Sequence, residues 1–200
     1  MLAIAAGLAS TITPFRAQGN IFYDQGLWQS VINVVSTIPF DNDVSGSQTS
    51  YTAGGLTESG VHFSSSGLYV INSQPYHSSP FLYDGSGLLT IALPTGTTAI
   101  GMSLFSPTIA NHLSLNATLA SSGTVTDSFF RDAGSGVTFW GITSSDPIST
   151  ITISSSIGWL GLDNFTIGAV PEPSTYVLIG FGSIILIAFH RLNRRPGLNP

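Results

Sequence analysis

At 200 residues, with 42% apolar and 10% aromatic side chains but only 8% charged ones, the chain is too apolar for disorder and long enough for one domain with its own core. It has no lysine, and residues 1–170 set nine acids against Arg16 and Arg131, which makes the body a poor partner for nucleic acid. Cysteine is absent, so neither disulfides nor thiolate chemistry enters, while 29 Ser, 20 Thr and 22 Gly describe β-structure with neutral polar faces and many turns.

Met1 to Ser10 is apolar and is followed by small residues, which reads as the end of a secretory signal. The basic region that such signals start with is expected upstream of Met1. Cleavage is expected after Ala9 or Ala17, and residues 1–17 are set aside as a signal segment. They lack the alternation of a buried first strand. Asp24 then caps a predicted helix that runs to Asn33, with Leu27/Val31 and Trp28/Ile32 paired at i,i+4. Beyond it, short runs of strand character recur between Gly, Pro, Asn and Ser. They are Thr37–Phe40, Val61–Phe63, Leu68–Ile71, Leu88–Leu93, Thr97–Phe105, His112–Leu119, Thr124–Phe130, Val137–Thr143, Ile148–Ser154 and Leu162–Ile167. Leu113-Ser-Leu115-Asn-Ala117-Thr-Leu119 alternates cleanly, and Leu93-Pro94-Thr95-Gly96 is a turn. The spacing predicts a mainly β, two-sheet antiparallel sandwich over 18–169, and no internal repeat points to a propeller or solenoid.

The tail has a different composition. Val170-Pro171-Glu172-Pro173-Ser174-Thr175 leads into Tyr176–Phe189, 14 residues without a charge, and then into His190-Arg191-Leu192-Asn193-Arg194-Arg195. The apolar run alone gives about 21 Å of helix against a hydrocarbon core of ~30 Å. Extended over Ser174–Leu192 it reaches about 28 Å, with Arg191 snorkelling to the headgroups. Pro171 and Pro173 mark the upstream boundary of this predicted transmembrane helix. Arg191, Arg194 and Arg195 all flank its C-terminal side, so the positive-inside rule leaves residues 196–200 in the cytoplasm and the body outside.

This order of parts resembles the PEP-CTERM sorting signal of Gram-negative bacteria that make exopolysaccharide. The resemblance covers Val170 to about Arg195. It implies that an exosortase, a membrane-embedded cysteine transpeptidase, recognises Pro171, Glu172 and Pro173, cuts near them and delivers the ectodomain to the envelope. In the body, Thr37-Ile38-Pro39-Phe40-Asp41, Gly60-Val61-His62-Phe63, Leu93–Gly101 and Gly161-Leu162-Asp163-Asn164-Phe165 are similar to the jelly-roll ectodomains that often precede such tails. The expected product is an exported, non-enzymatic envelope or matrix protein associated with exopolysaccharide. The alternatives are a surface-anchored carbohydrate-binding module, favoured by exposed aromatics in a line on one sheet face, and a secreted hydrolase, favoured by a pocket joining a His, an acid and a Ser.

No nucleophile elbow, zinc helix, P-loop or dinucleotide fingerprint occurs. His62, His77 and His112 are dispersed, and serines are too many for one to be named a nucleophile. Asp41-Asn42-Asp43 and Asp163-Asn164 are the places where hard oxygen ligands converge if the first and last strands are neighbours, with Asp41 and Asp163 as Ca²⁺ ligands. The simpler reading is that these aspartates bond to backbone at strand ends. Trp28, Trp140 and Trp159 are read as core anchors before sugar-stacking residues. Asn116 and Asn164 head N-x-Thr patterns, which chance supplies readily in so Ser/Thr-rich a chain.

Overall fold

The computed structural model describes residues 19–44, 46–72, 79–106, 111–121, 123–131 and 136–171. The signal segment 1–17, His77, Glu172, Pro173, the helix expected over 174–192 and the three tail arginines lie outside the described residues. Among the described residues no helix is long and apolar enough to cross a membrane.

The chain forms β1 (Gly19–Phe22), α1 (Gln25–Gln29), β2 (Asn33–Ile38), β3 (Gln48–Ser50), β4 (Leu56–Glu58), β5 (Val61–Ser64), β6 (Leu68–Ile71) and β7 (Phe81–Asp84). It continues as β8 (Leu88–Ala92), β9 (Ala99–Phe105), β10 (Asn111–Leu119), β11 (Thr124–Arg131), β12 (Thr138–Ser144), β13 (Ile148–Ser155) and β14 (Leu160–Ala169). All strand pairs are antiparallel. One sheet runs β1-β12-β9-β14-β7-β6-β3, with β2 also on β14, and the other runs β11-β10-β13-β8-β5-β4. The expected antiparallel sandwich is the fold.

Alternation explains the layers. In β10 every second residue, Leu113, Leu115, Ala117 and Leu119, is buried while His112 and Thr118 face solvent. Such residues from both sheets meet in one core, with Phe40, Phe63 and Phe165 stacked edge-on through its middle. The open side is tied by Asp127 of β11, whose Oδ2 accepts from Trp140 Nε1 at 2.9 Å and from Tyr23 Oη at 2.7 Å. Burial first, and then this bond and the negative charge of Asp127, push the Tyr23 phenol up to about 12.

Two boundaries differ from expectation. Asp24 does cap α1, its Oδ1 accepting from Leu27 N at 2.8 Å, but the helix ends at Gln29 instead of Asn33. The β-branched run that follows is drawn into β2, where Asn33 pairs with Ala169 and Ile38 with Phe165. Phe40, read as strand, lies beyond β2 at φ 61° with its ring buried in the core. The strands β1, β3, β4 and β7 were not expected. β3 is wholly polar, and the other three are too short to show a period.

The register also defines two ends. β9 and β2 begin, and β12 and β14 end, beside one another: Ser144 N donates to Thr98 O, Thr98 N to Gly168 O, and Gly19 pairs with Ser144. We call this the exit end. The start of β14, the end of β7 and the start of β6 form the distal end, where Leu160 and Leu68 both pair with Asp84.

Candidate functional site

At the distal end an aromatic row crosses the outer face of the first sheet. Tyr69 of β6 lies opposite Tyr83 of β7, Tyr83 opposite Gly161 of β14, and Gly161 opposite Phe105 of β9. The Tyr69 and Tyr83 rings are 6.4 Å apart, and Trp159 stands edge-on to Tyr83 at 6.0 Å. Phe105 fills the place a side chain at Gly161 would take, since a Cβ there would lie 2.4 Å from its ring. It packs edge-on against Phe81 at 4.8 Å, which gives the row a buried apolar floor.

Trp159 is 42% exposed, yet its backbone is held on both sides. Its N–H donates to Ser155 Oγ at 3.1 Å, and its carbonyl accepts from Asn111 Nδ2 at 2.8 Å and from Ser155 Oγ at 3.2 Å. Asn111 is fully buried and also bonds Ser155 and Ser156. An exposed indole on so braced a loop is preorganised: its placement costs no ordering when something docks on it. The Tyr83 phenol is raised by burial, then by the charge of Asp84 and by Tyr69, so Tyr83 is uncharged at physiological pH. Of the three tryptophans, Trp28 and Trp140 are the expected core anchors and Trp159 is not. Its flanking Gly158 and Gly161, and the Tyr placed between buried Leu68 and Val70, were the legible signs.

The other singled-out residues are spread out. His62, second in β5, lies at the exit end with Nδ1 2.8 Å from Thr57 Oγ1, whereas His112 is exposed near the start of β10 at the distal end. Asp163 is buried at a bulge in β14. Its Oδ2 accepts from Ser79 Oγ and Asn164 Nδ2, and its Oδ1 from Asn164 N at 2.7 Å, with Asn164 at φ 50°. Asp41 is exposed in the turn after β2. Among the described residues no group of three or more His, Asp or Glu side chains is arranged to hold a metal ion. Asp84 is buried, its Oδ1 accepting from Ser65 and Ser86. Asn116 faces Thr126, whose hydroxyl donates to its Oδ1 at 2.9 Å.

One carboxyl pair was not expected. Glu58 is hydrogen-bonded to Asp43, and burial first, then this bond and the Asp43 charge, push Glu58 up to about 7. The shared bond needs the Glu58 proton, so the folded state binds more protons than the unfolded one between pH ~4.5 and ~7. Stability should therefore be highest below that window and decline as pH rises through it. Urea unfolding at several pH values should show this decline, and Glu58→Gln, which keeps the donor, should flatten it.

Val170 carries the tail's root. Its N–H donates to Thr98 Oγ1 at 2.8 Å, and its side chain packs on the Trp28, Ile32 and Ala99 cluster. Pro171, exposed, is the last residue described. The chain from Ala169 to Arg195 matches the family model of the PEP-CTERM protein-sorting motif. The chain carries a PEP-CTERM sorting signal. That motif is an exosortase recognition signal, and it implies export. A search of curated proteins finds no match. Among solved structures, the family 11 carbohydrate-binding module from Clostridium thermocellum in complex with a β-1,3-1,4-mixed-linked tetrasaccharide is 13% identical over 67% of this chain and 95% of its own, with a TM-score of 0.35. The C-terminal family 22 carbohydrate-binding module of Clostridium thermocellum Xyn10B is 12% identical over 70% of this chain and 95% of its own, also at 0.35. Likeness at these scores says nothing about a ligand of this chain.

Proposed function

We propose that the chain is a cell-envelope protein whose body binds and does not catalyse. Its tail helix holds it in the inner membrane with the sandwich outside, until exosortase acts at Pro171-Glu172-Pro173. Its distal aromatic row then contacts exopolysaccharide. The observation that carries this reading is the braced, exposed Trp159 beside Tyr83 and Tyr69, at the opposite end of the sandwich from the tail. Sugar rings present flat C–H faces that dock on aromatic faces, while their hydroxyls need neutral polar partners. Ser155 and Ser156, which bond the Asn111 side chain that also holds the Trp159 carbonyl, bring neutral polar groups to the same end.

Affinity electrophoresis in gels containing the host's purified exopolysaccharide tests it. Trp159→Ala and Tyr83→Ala should each weaken retention about tenfold, equivalent to ~1.4 kcal/mol. Trp159 is too exposed for its loss to unfold the domain. Retention unchanged in both variants rejects the polysaccharide contact and leaves the sorting signal untouched.

A further inference from the structure

We infer that the exit end of the sandwich is a membrane-apposed surface that rests on the outer leaflet of the inner membrane before the tail is cut. The inference rests on the reading of the tail as a membrane anchor. Three observations on the folded body point to it independently of one another.

The first is the absence of a linker. Val170 is fixed to Thr98 and packed on Trp28, so the rigid body ends at about Pro171. Only Glu172 to Thr175 separate it from the apolar run that begins at Tyr176. Even fully extended, Pro171 to Tyr176 spans at most about 18 Å, less than the width of the domain it would have to hold away from the lipid.

The second is the place of the other terminus. Gly19 pairs with Ser144, which is two steps along the row Ser144–Thr98–Gly168 from the end of β14. The apolar N-terminal segment and the apolar tail therefore leave the body from the same end. An exported chain with its two membrane-directed segments so placed has one end toward the bilayer.

The third is the surface itself. Leu27, Val31, Val34 and Val35 are 64%, 42%, 51% and 68% exposed, four of the nine large apolar side chains that are exposed among the described residues. Val35 sits at the bulge of β2 and lines a shallow hollow with Pro94, Thr95 and Ala169, beside the tail's root. Residues 31–38, 93–101 and 164–171 contain no charged side chain. Asp24 caps α1 beside Leu27, and Asp146 lies in the loop just after Ser144, its carboxylate bound by Ser121. Between these two acids the start of β2 and the tail's root carry projecting valines and no charge, a strip that is compatible with headgroup-level contact and would be an aggregation liability in open solvent.

The absence of native cysteine makes the test direct. The full chain is reconstituted in phosphatidylethanolamine/phosphatidylglycerol vesicles that contain headgroup-spin-labelled lipid, with a fluorophore on Val35→Cys, Leu88→Cys or Ser183→Cys in turn. Leu88 is 53% exposed at the distal end and serves as the reference on the same body. The label at 35 should be quenched by the spin-labelled lipid several-fold more than the label at 88, and shielded from aqueous iodide. If the label at 183 is quenched while that at 35 is quenched by iodide and not by lipid, the anchor stands and the apposed surface is refuted. If the label at 35 escapes both quenchers, protein covers the patch, either residues 1–18 or a second copy, and the inference is again refuted. If the label at 183 is unquenched by lipid, the anchor reading fails and the inference falls with it.

Discussion

Trp28→Ala should lower the unfolding free energy by about 3–5 kcal/mol, the cost of deleting a fully buried aromatic side chain. The indole is 0% exposed, donates to Ile142 O at 3.3 Å and packs on Phe139 at 5.5 Å. It lies on strands β9 and β12 only because Gly101 and Gly141 have no side chains: a Cβ at either position would come within 2.8 Å of the ring. For a domain of this size the loss corresponds to a fall in Tm of roughly 6–20 °C, read by circular dichroism. Gly101→Ala should destabilise the wild-type chain, and its cost should shrink when Trp28 is already Ala, because the clash partner has gone. Equal cost in both backgrounds would mean that Gly101 serves the strand and not the indole. Since Val170 packs on the same cluster, Trp28→Ala should also raise hydrogen exchange at the Val170 amide, at the tail's root.

The second large effect concerns location and leaves stability alone. Replacing Pro171, Glu172 and Pro173 by Ala should leave the full-length chain in the inner membrane of the native host, with the processed form nearly abolished. In the sequence, Pro171 and Pro173 bracket Glu172, the single acid in residues 164–200. Pro171 is exposed and follows the last strand, which predicts an unchanged melting curve. Immunoblots of membrane and released fractions decide the matter. Unchanged release of the triple variant would mean that the exosortase does not read this motif.

Most of the sandwich was legible because burial on one face imposes a period of two. β10 shows it along its whole length and β13 from Ile151 on, and the sorting signal was legible as a resemblance carried by Val170-Pro171-Glu172-Pro173-Ser174, the apolar run and the arginines after it, in that order. What escaped were elements that depend on partners far away in sequence. β7 is a dense apolar cluster ending in Asp84, and it is a strand because Leu160–Leu162 pair with it. Helix α1 stops short because β14 offers Val34 and Ile38 a ladder that helix propensity at those residues does not match. The aromatic row is likewise a product of register. Tyr69, Tyr83 and Trp159 are spread over 90 residues and become neighbours only when β6, β7 and β14 align. Asp163 drew attention as an acid on the last strand, and its surroundings turned out to be set by the bulge at Asn164.

The last strand in the chain, β14, occupies the middle of its sheet, between β9 on one side and β7 and β2 on the other. That order has a kinetic consequence. A chain exported N-terminus first delivers β2 and β7 long before the strand they must pair with, and Asn33 waits for Ala169, 136 residues later. Such non-local pairings make folding slow. The first sheet stays open, with its edges unpaired, until β14 has crossed, and the sorting signal follows only a few residues behind. Completion of the fold and capture of the tail thus fall at the same moment of export. A sorting enzyme that reads residues 171–173 meets a segment presented just after the body becomes able to close.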